Sequence, residues 1–188
     1  MSRQTVRRFS DYAVTARGRD CLNGVVLDDA FGATASFKIF DPSRDSVLSA
    51  AEAAGQTELS VAGASSFVVG DDVEVTLDSG SFQITDVTAV DPDAGTITVG
   101  TGLTGNAAQG KRVRKIFGVA IAMSEFGTPS FDTTDWGFRS NIPNDHVVYD
   151  DLRSKDGLDA NVEITFLGGP GLTYIDVLCI TIQEKDCA

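Results

Sequence analysis

Asp150-Asp151, with Asp156 and Asp159 close behind, are the residue types that serve as acid and base in glycoside hydrolysis. Such pairs arise by chance in any acidic chain, and nothing around them signals a cleft. A solvated surface is the expectation. Asp91-Pro-Asp-Ala-Gly95 has the start of a calcium loop, but not the full D-x-D-x-D-G spacing or the distal bidentate glutamate. A plain turn is expected there. Gly168-Gly-Pro-Gly171 is glycine-rich, yet a phosphate cradle needs a helix N-terminus after its glycines and here a strand pattern follows. A hairpin is expected instead. His146 is the one histidine, in a loop leading to a strand, so general-base or metal chemistry has a single weak candidate. Cys21, Cys179 and Cys187 form no C-x-x-C, and an odd count leaves at least one thiol unpaired. Cys179 lies in the apolar run 175–182 and is expected to act as a small buried hydrophobe. Neither G-x-S-x-G nor H-E-x-x-H is present. The reading is therefore no enzyme, no cofactor and no metal.

The wider composition points to assembly. The chain has 188 residues, enough for one large domain or two small ones. Its net charge is −12, which argues against a nucleic-acid partner, since that needs a basic face. No apolar run approaches the roughly 18–20 residues of a membrane span, so no membrane partner is expected. The start is arginine-rich, as in a transit peptide, but Asp11 and Asp20 follow and no amphipathic helix is evident. No apolar run of a secretory signal follows the arginines either.

Charge is unevenly spread. Residues 45–110 hold ten carboxylates and no lysine or arginine. Basic residues resume at once with Lys111-Arg112-Val113-Arg114-Lys115. Arg3, Arg7, Arg8, Arg17 and Arg19 form a second cluster at the start. An acidic middle between basic flanks implies a module with its own surface, set into another domain.

Short strands separated by Gly, Asp, Asn and Ser dominate the pattern. Strands are predicted over 12–16, 33–40, 58–61, 72–77, 81–90, 95–99, 112–123, 161–166 and 174–183. Val73-Glu-Val-Thr-Leu77 alternates, with the apolar residues on one face and Glu74 and Thr76 on the other, the period of a half-buried antiparallel strand. Helix is scarce. Ser46–Ala54 (SVLSAAEAA), stopped by Gly55, predicts two turns, and 150–155 another short one. The fold class is mainly β: an antiparallel β-sandwich with a small β-barrel inserted in one loop. The sandwich is discontinuous, 1–45 plus 116–188, and the acidic barrel spans 46–115. Insertion suits an exposed loop whose ends lie close together. Lys111–Lys115 is read as a charged strand at the edge of the barrel, where charge blocks sheet-to-sheet aggregation.

Residues 125–149 carry two prolines, four aromatics before His146 and no clear period, and are read as a long loop of the kind that serves function or a partner. Phe126, Phe131, Trp136 and Phe138, with Arg139, are either anchors for a neighbouring chain or a lid over the loop's own core. Arg3, Arg7 and Arg8 are read as an arm that docks on an acidic neighbour. These eight residues are the candidate protein interface.

Three runs in the middle segment carry a resemblance. They are Gly55-Gln-Thr-Glu-Leu-Ser-Val61, Phe67-Val-Val-Gly-Asp-Asp-Val73 and Val87-Thr-Ala-Val-Asp-Pro-Asp-Ala-Gly-Thr-Ile-Thr-Val99. The segment resembles a small β-module of structural proteins in tailed bacteriophages, with Ser66 where glycine is usual before Phe67. The resemblance covers about a third of the chain and does not extend to the flanks. It implies a non-enzymatic virion protein, foremost a capsid decoration (cement) protein on the outer capsid surface. Its partners would be the major capsid protein and sister copies, in a homo-oligomer expected to be a trimer by analogy with such proteins. A neck, tail-connector or baseplate component is the second reading, and a carbohydrate-binding fibre module using Trp136 and Tyr149 the third.

Overall fold

In a computed structural model the chain is mainly β. The structure describes residues 4–7, 13–16, 18–20, 25–27, 34–127, 137–142, 146, 158–168 and 172–183. The strands are β1 (Gln4–Arg7), β2 (Ala13–Ala16), β3 (Gly18–Asp20), β4 (Val25–Leu27), β5 (Thr34–Val47), β6 (Glu58–Ser60), β7 (Asp72–Thr76), β8 (Phe82–Asp91), β9 (Thr96–Val99), β10 (Arg112–Ile116), β11 (Ile121–Phe126), β12 (Gly137–Asn141), β13 (Leu158–Gly168) and β14 (Leu172–Gln183). One 3-10 turn, Ala64–Ser66, is the only helical piece among the described residues. Backbone pairing follows the order β1-β14-β13-β5-β10-β7-β8-β9-β6.

Two compact units divide the chain, Met1–Ile39 with Gly118–Ala188, and Phe40–Phe117. In the first unit, β13 and β14 pair antiparallel along their whole length, from Leu158↔Ile182 to Gly168↔Leu172. β13 and β14 are thus antiparallel neighbours, and residues 169–171 of the glycine-rich run between them lie outside the described residues. β1 pairs parallel with the end of β14, so Gln4–Arg7 is a sheet strand and not a free arm. A second ladder runs β5-β11-β12-β2.

The 125–149 region is not wholly a loop, because β12 lies within it. Its signal is the alternation Phe138-Arg-Ser-Asn-Ile142, in which Phe138 and Ile142 are buried and Arg139 and Asn141 exposed. The expected strand 112–123 is also two strands, interrupted at 117–120 where the chain passes between units.

The second unit closes around one core. Leu48, Leu59, Val61, Phe67, Val73, Val75, Leu77, Val87, Ile97, Val99, Leu103 and Val113 pack together with two alanines. Strand alternation delivers them: in β9 Ile97 and Val99 point in, between half-buried threonines. The turn before β9 is fixed locally. Asp91 Oδ1 accepts the Asp93 and Ala94 amides at 3.1 and 2.9 Å, and Gly95 takes the positive φ (69°) that the turn requires.

Residues 46–54 are not helical. Ser46 and Val47 end β5, and Leu48 bridges Val61. Leu48 N–H donates to the Lys111 carbonyl at 2.8 Å, Ser49 N–H to Ser60 at 2.9 Å, and Ala62 N–H to Val47 at 3.0 Å. Glu52 bridges Ala107. A nine-residue helix is marginal alone, and here distant strands claim its backbone groups.

β8 reverses the usual pattern at its start. Gln83 and Thr85 point inward and are buried, while Phe82 and Ile84 point outward and are exposed. The inward polar pair has a structural task. Gln83 Oε1 accepts the Thr104 amide at 2.6 Å and its hydroxyl at 3.0 Å, and Gln83 Nε2 donates to the Gly102 carbonyl at 3.0 Å. Thr85 Oγ1 accepts the Thr101 amide at 3.1 Å. These side chains hold segment 100–104 where no strand pairs. Replacing Gln83 with alanine is expected to cost about 1–3 kcal/mol, the penalty of stranding buried polar groups. Hydrogen exchange at the Thr104 amide, whose acceptor is Gln83 Oε1, should quicken first, and unchanged protection there would count against the clamp.

Candidate functional site

The chemically dense part of the described chain is a buried charge network within the second unit. β10 sits between β5 and β7, paired on both sides, so it is an interior strand and not the edge strand its charges suggested. Its centre therefore carries Arg114 and Lys115 into buried surroundings.

Each cation meets an acid supplied by a neighbouring strand or turn. Glu74 on β7 lies directly opposite Arg114 in register. Arg114 Nε and Nη2 donate to Glu74 Oε1 at 3.1 and 2.8 Å, and both side chains are at least nine-tenths buried. The guanidinium carbon also stands 3.4 Å from the Phe40 ring centroid, a cation–π contact. Glu74 thus belongs to the face opposite the core, as alternation predicts, but that position is 1% exposed and not solvated.

The second cluster is built by a bulge. Between the pairs Ile116↔Phe40 and Arg114↔Asp45, β10 contributes only Lys115 while β5 contributes 41–44. Pro42 suits such an irregularity because it has no N–H for a ladder. Asp41 Oδ1 accepts the Ser43 amide and hydroxyl at 2.9 and 2.6 Å, which shapes the bulge, while Oδ2 stands 3.7 Å from Arg44 Nε.

The hub is Asp71, 3% exposed. Its Oδ1 accepts Arg44 Nη1 at 2.5 Å and faces Lys115 Nζ at 3.3 Å. Its Oδ2 accepts the Val68 amide at 2.9 Å, while its own amide donates to the Val68 carbonyl at 3.1 Å. Gly70, at φ 91°, completes that turn. Lys115 Nζ also lies 4.6 Å from the Phe117 ring centroid. Three acids and three bases make this network neutral overall, which is what burial of charge demands.

At the surface, Arg112 pairs Asp45 through two hydrogen bonds and Lys111 faces Asp78 at 3.6 Å. All five basic residues of 40–117 are thereby engaged with carboxylates of the same unit. The unit holds eleven carboxylates, so its excess charge of −6 is carried by acids alone.

No protein-family model matches the chain, and no curated protein matches it.

The charged groups of the network are bonded to one another and to backbone amides of the same unit. Among the described residues no group of three His, Cys, Asp or Glu side chains could hold a metal ion. No helix of the described residues is long and apolar enough to cross a membrane.

Of the expected interface residues, Arg3, Arg8, Phe131 and Trp136 lie outside the described residues. Asp150, Asp151 and Asp156 do as well, as does the turn expected over 150–155, and Asp159 falls on β13. Arg7 closes β1 and Phe126 closes β11. β11 and β12 bring Phe126 opposite Gly137 and Ser124 opposite Arg139. Arg139 is exposed, but Phe138 is 3% exposed, so that ring is not available as an anchor. Sequence reading missed Asp71, Glu74, Arg44 and Lys115 as a cluster. The available signal was a basic run ending a segment otherwise without a single base.

Proposed function

We propose that this chain is a non-enzymatic structural protein of a tailed-bacteriophage virion, a decoration protein that binds the major capsid protein on the outer shell. The observation that carries this is where the resemblance residues lie. Leu59, Val61, Phe67, Val73, Val87, Ile97 and Val99 all belong to the one core of the second unit. Asp71 of the same pattern anchors the buried charges, and Asp91 and Gly95 make the β8–β9 turn. The shared pattern is thus a folding pattern that leaves the outer surface free to vary, as suits a recurrent structural module.

We read the second unit as a small barrel inserted in a discontinuous sandwich. The hydrogen bonds that bring β6 back to the end of β5, at 47–49 and 60–62, support closure of the strand order. The two ladders of the first unit, β5-β13-β14-β1 and β5-β11-β12-β2, support a second layer.

Such a protein acts by mass action, since whatever binds only the mature lattice opposes its failure. Purified chain is expected to bind expanded capsids that lack it and to raise the temperature at which they release DNA. Failure on both counts would remove this reading.

A further inference from the structure

Charge is unevenly shared within the buried Asp71 cluster of the second unit. Asp71 Oδ1 alone meets two cations, Arg44 Nη1 at 2.5 Å and Lys115 Nζ at 3.3 Å. Asp41, 1% exposed, has the opposite situation. Among the described residues its Oδ2 has no hydrogen-bond partner, and Arg44 Nε stands 3.7 Å away. A buried carboxylate oxygen without a hydrogen bond is uncommon and calls for a reason. Register places this oxygen's residue near the lysine, because Lys115 is the β10 residue that lies across from 41–44.

Losing the charges of Lys115 and Asp71 together would even this out. Arg44 would keep Asp41 as its acid and Arg114 would keep Glu74, so the buried charge would still sum to zero. Condensation of the amine with the carboxyl group does this with no cofactor or oxidant. The local structure suits it. The Lys115 and Asp71 side chains are 8% and 3% exposed, so bulk water is kept from the product. An interior strand holds one group and the turn before β7 holds the other. Groups held together in this way react as if present at roughly 10⁵–10⁸ M. The Val68 amide, 2.9 Å from Asp71 Oδ2, is a donor ready for a developing oxyanion, and Arg44 draws electron density through Oδ1.

We propose that Lys115 Nζ and Asp71 Cγ join in an intramolecular amide bond, with Asp41 as the acid–base group. One proton passes from the Lys115 ammonium through Asp41 Oδ2 to Asp71 Oδ1. The freed electron pair on Nζ forms the bond to Cγ, and the carbonyl electrons move onto Oδ2, against the Val68 amide. They return to carbon as the Cγ–Oδ1 bond breaks. Oδ1 leaves as water with a second proton from Nζ, and Asp41 ends as the carboxylate it began as. The bond ties the turn before β7 to the end of β10 and restricts the unfolded chain as other cross-links do. Such a cross-link goes beyond the virion reading and does not rest on it.

The test is the intact mass of the purified full chain, read in denaturant, followed by fragment mapping after trypsin. The chain is expected to be lighter than its sequence by one water. The fragments that hold Asp71 and Lys115 should stay joined, with no cut after Lys115. A chain of full mass overturns the proposal, and so does a water lost at any other position. Lys115→Arg keeps a cation beside Asp71 but offers a poor nucleophile, so it should fold and carry the full mass. A water loss that survives this substitution, or Asp71→Ala, also overturns the proposal. Asp41→Asn keeps the size and the acceptor for Ser43 but cannot carry the proton. It should slow the water loss by roughly 10²–10⁴-fold, followed by mass from the moment of refolding. A folded Asp41→Asn chain that cross-links as fast as the natural one overturns the role given to Asp41.

Discussion

Replacing Asp71 with alanine is expected to lower the stability of the chain by about 3–5 kcal/mol, the cost of removing one partner from a buried ion pair. The reason is what Asp71 leaves behind. Arg44 and Lys115, mostly buried, would both lose the carboxylate they meet, and Asp41, 3.7 Å from Arg44, is already committed to Ser43. The Val68 amide would also lose its acceptor, opening the turn that leads into β7. For a chain of this size each kcal/mol moves the melting temperature by roughly 2–4 °C, so a fall of about 10 °C is expected. Asp71→Asn separates the two effects, since its amide oxygen can still accept from Val68 but carries no charge. It should lose most of the stability while keeping exchange protection at the Val68 amide. Adding Lys115→Met to Asp71→Ala should recover part of the loss, because one stranded cation is gone. Chemical unfolding midpoints check all three. A loss below about 1 kcal/mol for Asp71→Ala, the range of exposed pairs, would show that water reaches the cluster.

Glu74→Ala is the second large effect. Arg114 is fixed by its position opposite Glu74 in an interior strand, and its guanidinium cannot lose its charge to relieve burial. Truncating Glu74 is expected to cost about 3–5 kcal/mol for the same physical reason. The contrast lies in the double replacement. Glu74→Leu with Arg114→Met removes both charges and keeps the volume, and should come out near neutral or more stable by about 1–4 kcal/mol. The Phe40 ring, now against Arg114, would pack on the methionine instead. A double-mutant cycle on unfolding midpoints measures this coupling. If the double replacement is as damaging as Glu74→Ala, the ion pair would be favourable in its own right and not merely costly to break.

These two clusters also show how far the chain was readable before its fold was known. The alternation in Val73-Glu-Val-Thr-Leu77 marked β7 and its inward face, and it placed Glu74 on the other face. It could not say whether that face met solvent. Burial of Glu74 depends on β10 and β8 lying beside it, contacts made by residues up to forty positions away. The same limit misread Lys111–Lys115. Its charges suit an edge strand, and only the order β5-β10-β7 makes it an interior one.

By itself, then, the sequence determined what depends on near neighbours. The mainly β class, most strand positions, the Asp91–Gly95 turn and the charge asymmetry all follow from period-two patterning, turn chemistry and composition. Tertiary structure alone decided three things. It drew 46–54 into strand pairing and away from helix, because backbone partners at 60–62 and 107–111 outcompete a short local helix. It turned exposed-looking charges into a neutral buried network, because acids and bases distant in sequence meet across register. It set Phe82 and Ile84 outward on β8, because Gln83 and Thr85 are needed inside to hold a segment that no strand pairs.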